Sequence, residues 1–209
     1  MKSVLRAAVM AVALAGFGFM TADAADVVNE WTSVKAPPPP ELKPVTADPK
    51  TTALLMLDFM TQNCGRRPRC LESVPEVKKL LAEARAKGVP VVYSIISNST
   101  TADIIKDVAP IEGEPWVQAS VDKFVKTDLE KILSEKGIKT VIVVGTLANG
   151  AVLYTGGSAA MKGMNVIVPV DGLSASDTYA EQVSVWLLAN GAGGIGPKTT
   201  LTRLNQIKF

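Results

Sequence analysis

The chain has 209 residues, of which 47% are hydrophobic, and a formal net charge of +2 at pH 7. This near-neutral balance gives no electrostatic reason to expect nucleic acid or an anionic membrane as a partner. The chain contains no histidine and two cysteines, which excludes a Ser-His-Asp triad and argues against a structural zinc site.

The first 24 residues have the pattern of a secretory signal peptide. Lys2 and Arg6 supply a positive start, residues 7–20 form an apolar core, and Ala22-Asp23-Ala24 is a small-x-small cleavage site. The apolar run is short for a membrane span, although an uncleaved anchor is the alternative. We therefore expect an exported protein, periplasmic or secreted, without a stable membrane span after cleavage.

Residues 25–50 form a proline-rich segment. They include Pro37-Pro38-Pro39-Pro40 and further prolines at 44 and 49. Because proline runs favour extended backbone, this segment is predicted to be an arm outside the core. The folded domain is then expected over residues 51–209.

From residue 51 onward, apolar runs alternate with amphipathic helical patterns. Strands are predicted at 52–59, 89–96, 141–146, 165–172 and 199–204. The intervening helices are predicted to start at capping boxes at Ser73 and Thr127, at Ala151 and at about Asp177. Repeated βα units imply an α/β fold, a three-layer αβα sandwich with a mostly parallel central sheet.

Asp58 follows the apolar residues of the first predicted strand. A carboxylate that emerges from a dry strand is partly desolvated and needs a partner, as catalytic acids and bases do. An aspartate that caps a helix or braces a loop is the alternative.

The stretch 141–155 combines an apolar strand, a tight turn and the start of a helix. Asn149-Gly150 forms the turn, and a helical pattern begins at Ala151. Free N–H groups at a helix start can bind an anion or an oxyanion, which makes Gly150 and Ala151 candidates for that role. Thr146 and Asn149 are the candidate substrate contacts in the same turn.

This turn resembles that of the isochorismatase-like (cysteine hydrolase) superfamily, in which a Gly, a Thr or Ala and a polar residue precede Cys-Val. The matching residues are Gly145, Ala148, Asn149, Val152 and Thr155, whereas Ala151 stands at the position of the nucleophilic cysteine. The resemblance covers about residues 50–209 and implies the Rossmann-like fold of these hydrolases. It also implies that the 52–59 and 141–146 strands are central neighbours and that Asp58 is the general acid or base.

The lysine of the family's active site has two candidates in this chain. Lys123 lies in VDKFVKTDLEKIL, which resembles the family's lysine segment, but the register of many relatives would put Gln118 in its place. An ammonium beside Asp58 would keep the carboxylate ionised and stabilise developing negative charge. An ordinary surface lysine is the alternative for Lys123.

Cys64 and Cys70 lie in TQNCGRRPRC, just beyond Asp58. In an oxidising compartment, two cysteines six residues apart across such a loop are predicted to form a disulfide. Cys64 as a substitute nucleophile is the alternative. Arg66 and its neighbouring arginines could clamp a substrate carboxylate or form a solvated basic loop.

Ala151 cannot form a thioester, so a thiol mechanism at this position is excluded. The resembling family includes isochorismatases in which glycine replaces the cysteine and acid catalysis cleaves a vinyl ether. We therefore expect an exported small-molecule hydrolase that uses Asp58 and Lys123, with a non-catalytic binding protein or a thiol hydrolase through Cys64 as alternatives. No metal or other cofactor is expected, and nothing in the sequence excludes a homo-oligomer.

Overall fold

The computed structural model describes residues 26–209, and the predicted signal peptide lies outside them. The described residues up to Pro38 belong to one compact unit and residues 39–209 to another. In the first unit the Asp26 carboxylate accepts hydrogen bonds from the N–H groups of Val28 and Asn29, which caps a short turn. Trp31 in this turn is exposed.

The larger unit alternates strands and helices. Its strands are β1 (Val45–Thr46), β2 (Thr52–Leu57), β3 (Val91–Ile95), β4 (Trp116–Gln118), β5 (Thr140–Thr146), β6 (Asn165–Pro169), β7 (Leu173–Ser174), β8 (Thr199–Thr202) and β9 (Ile207–Lys208). Its helices are α1 (Thr61–Cys64), α2 (Pro68–Ala86), α3 (Leu129–Glu135), α4 (Leu153–Met161), α5 (Thr178–Asn190) and α6 (Ile195–Lys198), with a wide helical turn at Ala148–Val152.

The central sheet has the strand order β4-β3-β2-β5-β6-β8, with β7 alongside the end of β5. All of its strand pairs are parallel. The predicted three-layer αβα fold and the central pairing of β2 with β5 are therefore confirmed. The chain turns in opposite directions from these two strands, so their carboxyl ends form the switch point at which such folds bind ligands.

The apolar strands are buried on both faces. In β2, Leu54 and Met56 pack in one core with α2, whereas Leu55 and Leu57 pack in the other core with α3 and α4. This burial explains the unbroken apolar pattern of the central strands. Among the described residues, no helix is long and apolar enough to cross a membrane.

Gly145 lets β2 and β5 approach at their carboxyl ends. It pairs with Leu57 and has a φ of +142°, and a β-carbon built on it would lie 2.0 Å from the Leu57 carbonyl oxygen. A larger residue would therefore collide with the backbone just before Asp58. The close approach of the two strands brings the candidate site together.

Helix α2 begins earlier than the predicted capping box at Ser73. It starts at Pro68, which suits the first turn because proline lacks an N–H group there. The Ser73 hydroxyl is buried and donates to the Cys70 carbonyl within the helix. The edge strand β4 is missed by the sequence patterns because two of its three residues are exposed.

The end of the proline-rich segment packs on the domain. Val45 and Thr46 pair in parallel with Ile207 and Lys208, and Ala47 is buried. The prediction of an arm outside the core thus does not describe residues 45–47, where β1 forms a separate two-stranded sheet with β9.

Candidate active site

Asp58 directly follows β2 in a left-handed backbone conformation, with a φ of 54°. Its carbonyl accepts hydrogen bonds from the Met60 N–H at 2.7 Å and from the Asn63 amide at 3.3 Å. Its own N–H donates to the Ser94 carbonyl on β3. These bonds hold a conformation that non-glycine residues seldom adopt, and Asp58 as a whole residue is 2% exposed.

Lys123 forms a buried ion pair with Asp58. The Lys123 Nζ lies 2.7 Å from Asp58 Oδ2, with side-chain exposures of 0% and 4%. The same Nζ donates to the carbonyls of Ala119 and Ser120 at 2.9 and 3.3 Å. The three protons of the ammonium group therefore all have acceptors.

The Asp58 carboxylate is held on both oxygens. Oδ2 faces Lys123, and Oδ1 accepts a hydrogen bond from the Ser94 hydroxyl at 2.7 Å. Burial raises the pKa of the Asp58 carboxyl above its usual value, and the charge and hydrogen bond of Lys123 and the Ser94 hydroxyl offset part of that rise.

The loop that carries Lys123 is fastened to α4. The Lys123 N–H donates to the Thr155 hydroxyl at 3.1 Å. One oxygen of Asp122 accepts from the Ser158 hydroxyl, and the other accepts from the Phe124 N–H. Two hydroxyl groups of one helix thus fix the backbone beside the lysine.

The structure places Lys123, and not Gln118, beside Asp58. The Gln118 amide donates to the carbonyls of Ile96 and Ser99 at 3.0 and 3.2 Å and is exposed. The loop after β4 folds back so that the lysine five residues later reaches the carboxylate. Of the two registers, this geometry favours the one with Lys123.

The turn after β5 follows the carboxyl end of that strand, next to the carboxyl end of β2 that carries Asp58. Gly150 has φ and ψ values of −129° and −108°, and its N–H donates to the Leu147 carbonyl at 3.1 Å. Ala151 is buried among the apolar residues that α3 and α4 contribute to the core. The Gly150 N–H is therefore engaged within the turn in this conformation.

A cavity of about 880 Å³ lies between the lysine loop and this turn. Its walls are formed by residues 118–122, Val125, Lys126, Leu147, Asn149, Gly150 and Tyr154. Asp58, Lys123 and Ala151 do not line it, but Ala119 and Ser120 do. The backbone whose carbonyls bind the lysine therefore separates the cavity from the ion pair.

Thr146 and Arg66 lie outside this cavity wall. The Thr146 hydroxyl donates to the Ser174 carbonyl on β7, and Arg66 is exposed in the connection between α1 and α2. The neighbouring Arg67 and Arg69 bind the Asn63 carbonyl and the Glu181 carboxylate. Of the predicted substrate contacts, Asn149 is the one that lines the cavity.

Cys64 and Cys70 form a disulfide, as the sequence predicts. Their Cα atoms are 5.1 Å apart, and both Cys64, the last residue of α1, and Cys70, in the first turn of α2, are fully buried. Because the chain has only these two cysteines, the bond removes the thiol that a mechanism through Cys64 would need.

We expect no free thiol in protein that is unfolded without reductant, because the disulfide holds both sulfurs. Alkylation in denaturant followed by intact mass measurement should add no alkyl groups, and prior reduction should add two. Full alkylation of both residues without reductant would show that the bond is absent from the native protein.

The sequence patterns did not predict two contacts of the site. These are the hydrogen bond from Ser94 to Asp58 and the hydrogen bond from the Lys123 N–H to Thr155. Ser94 is the polar residue within the otherwise apolar run of β3, which was the available signal. Thr155 lies one helical turn after Ala151, and a buried hydroxyl on the helix that begins at the site was the corresponding signal.

Comparisons with known proteins agree with this architecture. The model of the isochorismatase domain matches residues 52–196. A secreted isochorismatase effector of Verticillium dahliae is 26% identical over 148 residues, which is 64% of this chain and 78% of that protein. An N-carbamoylsarcosine amidase of Arthrobacter is 30% identical over 124 residues, which is 46% of this chain and 47% of the amidase.

Solved structures show the same fold. A cysteine hydrolase from Pseudomonas syringae superposes with a TM-score of 0.69 at 20% identity, covering 81% of this chain and 95% of that one. For the N-carbamoylsarcosine amidase from Thermoplasma acidophilum the TM-score is 0.63 at 22% identity, covering 74% and 97%. Because the family model matches residues 52–196, which is more than half of this chain, the chain belongs to the isochorismatase family.

Proposed function

We propose that this protein is an exported small-molecule hydrolase that uses Asp58 and Lys123 without a thiol nucleophile. The observation that carries the proposal is the 2.7 Å contact between Lys123 Nζ and Asp58 Oδ2 at the strand switch point. A paired, desolvated carboxylate at such a point is the usual form of a proton-transfer group.

The environment of Asp58 suits it to give or take a proton. Because burial raises the pKa of its carboxyl, Asp58 retains a proton at a higher pH than an exposed aspartate. The Lys123 ammonium can stabilise negative charge that develops on a reacting oxygen nearby. Ala151, at the position that the family resemblance gives to the nucleophile, supplies no group that could form a covalent intermediate.

The cavity beside the turn provides space for the substrate. Its walls combine the apolar side chains of Val121, Val125, Leu147 and Tyr154 with polar and charged residues, which are Gln118, Ser120, Asp122, Lys126 and Asn149. This composition is typical of small-molecule sites, in which apolar walls bury the ligand and a few polar groups orient it. For a substrate bound there to contact Asp58, the Ala119–Ser120 backbone, whose carbonyls bind Lys123, would have to move aside.

The turn could contribute hydrogen bonds to the reacting oxygen. Under this proposal the Ala151 N–H takes the role, whereas the Gly150 N–H donates to the Leu147 carbonyl and would first have to be released. Polarisation by these groups would complement proton transfer from Asp58 to the departing nitrogen of an amide or ureide, or to the vinyl carbon of a vinyl ether. A water molecule would add to the electrophilic carbon and return a proton to Asp58.

A non-catalytic binding protein on the same fold is the second candidate. It is favoured by the closed arrangement of the ion pair, in which the lysine has three acceptors and both side chains are buried. In that case the cavity would bind a ligand, while Asp58 and Lys123 would only hold the loop that forms its wall.

A substrate screen of the purified mature protein distinguishes these candidates. The panel consists of small amides, ureides and vinyl ethers, and each compound is measured both for turnover and for binding by calorimetry. Turnover that depends on Asp58 supports the hydrolase. Binding without turnover of any bound compound supports the binding protein.

We also propose that the chain is exported and cleaved after Ala24. The charged start, the apolar core and the Ala22-Asp23-Ala24 site support this proposal, as does the buried disulfide, which persists in oxidising compartments. One relative is described as secreted.

We expect protein from the native envelope or medium to have the intact mass of a chain beginning at Ala25. A mature chain beginning at Met1, or a purely cytosolic distribution, would contradict the proposal.

A further inference from the structure

Ser94 contacts Asp58 through both its main chain and its side chain. Its carbonyl accepts the Asp58 N–H at 3.3 Å, and its hydroxyl donates to Asp58 Oδ1 at 2.7 Å. The residue is 1% exposed and lies in β3, where Ser94 pairs with Leu57, the residue before Asp58. A rigid central strand therefore delivers the hydroxyl to the carboxylate.

The position of Ser94 is otherwise an apolar one. The other four residues of β3 are Val91, Val92, Tyr93 and Ile95, and all are buried. A buried hydroxyl needs a hydrogen-bond partner, and the partner that Ser94 has is Asp58 Oδ1. Valine or alanine would maintain the packing of the strand but would leave this carboxylate oxygen without its donor.

We propose that Ser94 is a positioning residue that fixes the orientation of the Asp58 carboxylate for proton transfer. This inference rests on the proposed function. With Oδ2 held by Lys123 and Oδ1 held by Ser94, a rotation of the carboxylate plane would break one contact on each oxygen. Each oxygen still has a second lone pair, so a proton can be exchanged in a fixed direction.

The hydroxyl also adapts to either protonation state of Asp58. A serine hydroxyl can donate to a carboxylate or, after rotation, accept a hydrogen bond from a carboxylic acid. Lys123 is the charged group that acts on Asp58 and opposes the effect of burial, and Ser94 adds the hydrogen bond to the ionised form. Loss of the hydroxyl would therefore favour the protonated carboxyl further.

The test is a titration of the Asp58 carboxyl carbon by NMR in protein with labelled aspartate, with the signal assigned by its absence in Asp58→Asn. We expect Ser94→Ala to raise the titration midpoint by about one pH unit, because a hydrogen bond to a charged group is lost. Ser94→Thr, which keeps a hydroxyl, should restore the midpoint toward that of the wild type.

Ser184→Ala is the matched control. Ser184 is also fully buried, but its hydroxyl donates to the Ala180 carbonyl within α5. This change should leave the Asp58 midpoint in place. An unchanged midpoint in Ser94→Ala, or an equal shift in both alanine variants, would overturn the positioning role.

The titration requires no substrate, so its result is separate from that of the substrate screen. If a substrate is found, the limb of the pH–rate profile that reports Asp58 should move to higher pH in Ser94→Ala. If the Asp58 midpoint shifts in Ser94→Ala but no compound is turned over, the coupling of Ser94 to Asp58 is supported and the hydrolase is rejected. Turnover that depends on Asp58 but has an unchanged pH profile in Ser94→Ala would reject the positioning role alone.

Discussion

Replacing Asp58 by asparagine is expected to lower turnover by about 10²–10⁴-fold, the usual range for the loss of a general acid or base. Asparagine has nearly the same shape: its amide oxygen can accept a hydrogen bond from Lys123, and its NH2 group can donate to the Ser94 hydroxyl, which contacts the other carboxylate oxygen in the wild type. It cannot exchange a proton at the pH values of the assay. The measurement is the steady-state rate on a substrate from the screen, at a temperature where the variant is fully folded.

Asp128→Asn is the control for this variant. Asp128 precedes α3 and is exposed, and its side chain makes no capping hydrogen bond to that helix. The same chemical change there should leave the rate near that of the wild type. Full activity of Asp58→Asn would reject the mechanism. A variant that retains its fold but loses the affinity for a ligand that is never turned over would favour the binding protein.

The fold was predictable because the central strands carry a strong local signal. Val141 to Val144 and Leu54 to Leu57 are uninterrupted apolar runs, and each is fully buried between two helical layers. The helix that starts near Asp177 was predictable for a similar reason, since the Asp177 side chain caps it by accepting the Ala180 N–H. Such features depend on neighbouring residues in the sequence.

The details of the candidate site depend on contacts between distant residues. The choice between Lys123 and Gln118 is decided by how the loop after β4 folds back, so that the carbonyls of Ala119 and Ser120 accept hydrogen bonds from the Lys123 ammonium. Local pattern does not encode that path. Ser94 could be recognised as unusual within its strand, but its partner is 36 residues earlier in the chain. The separation of the cavity from Asp58 by the backbone of Ala119 and Ser120 is likewise a tertiary property.

Replacing Lys123 by methionine is expected to reduce the free energy of unfolding by about 3–5 kcal/mol, because it leaves a buried carboxylate without its charged partner. Lys123 is entirely buried, and its ammonium also joins the carbonyls of Ala119 and Ser120 to Asp58. Methionine fills a similar volume but donates no hydrogen bond. Turnover should fall as well, and Gln118→Met should have the smaller effect on both quantities.

Lys87→Met is the control for stability, because Lys87 is an exposed lysine just after α2. Denaturant titrations of both variants measure the difference. The loss in Lys123→Met should also grow with pH. Its unfolded chain releases the Asp58 proton near pH 4, whereas its folded form, now without the lysine, retains the proton to a higher pH than the wild type. Stability relative to the wild type therefore falls as the pH rises from the Asp58 pKa of the folded wild type to the higher Asp58 pKa of the folded variant.

The double variant Asp58→Asn with Lys123→Met separates stability from catalysis. When both charges of a buried pair are replaced by neutral groups, the cost is often small, whereas the removal of one charge is expensive. We expect the double variant to regain most of the stability lost in Lys123→Met and to regain none of the turnover. If Lys123→Met were as stable as Lys87→Met, the ion pair at the end of β2 would not form in the native protein. If the double variant recovered activity together with stability, Asp58 and Lys123 would support the fold of the site and take no part in its chemistry.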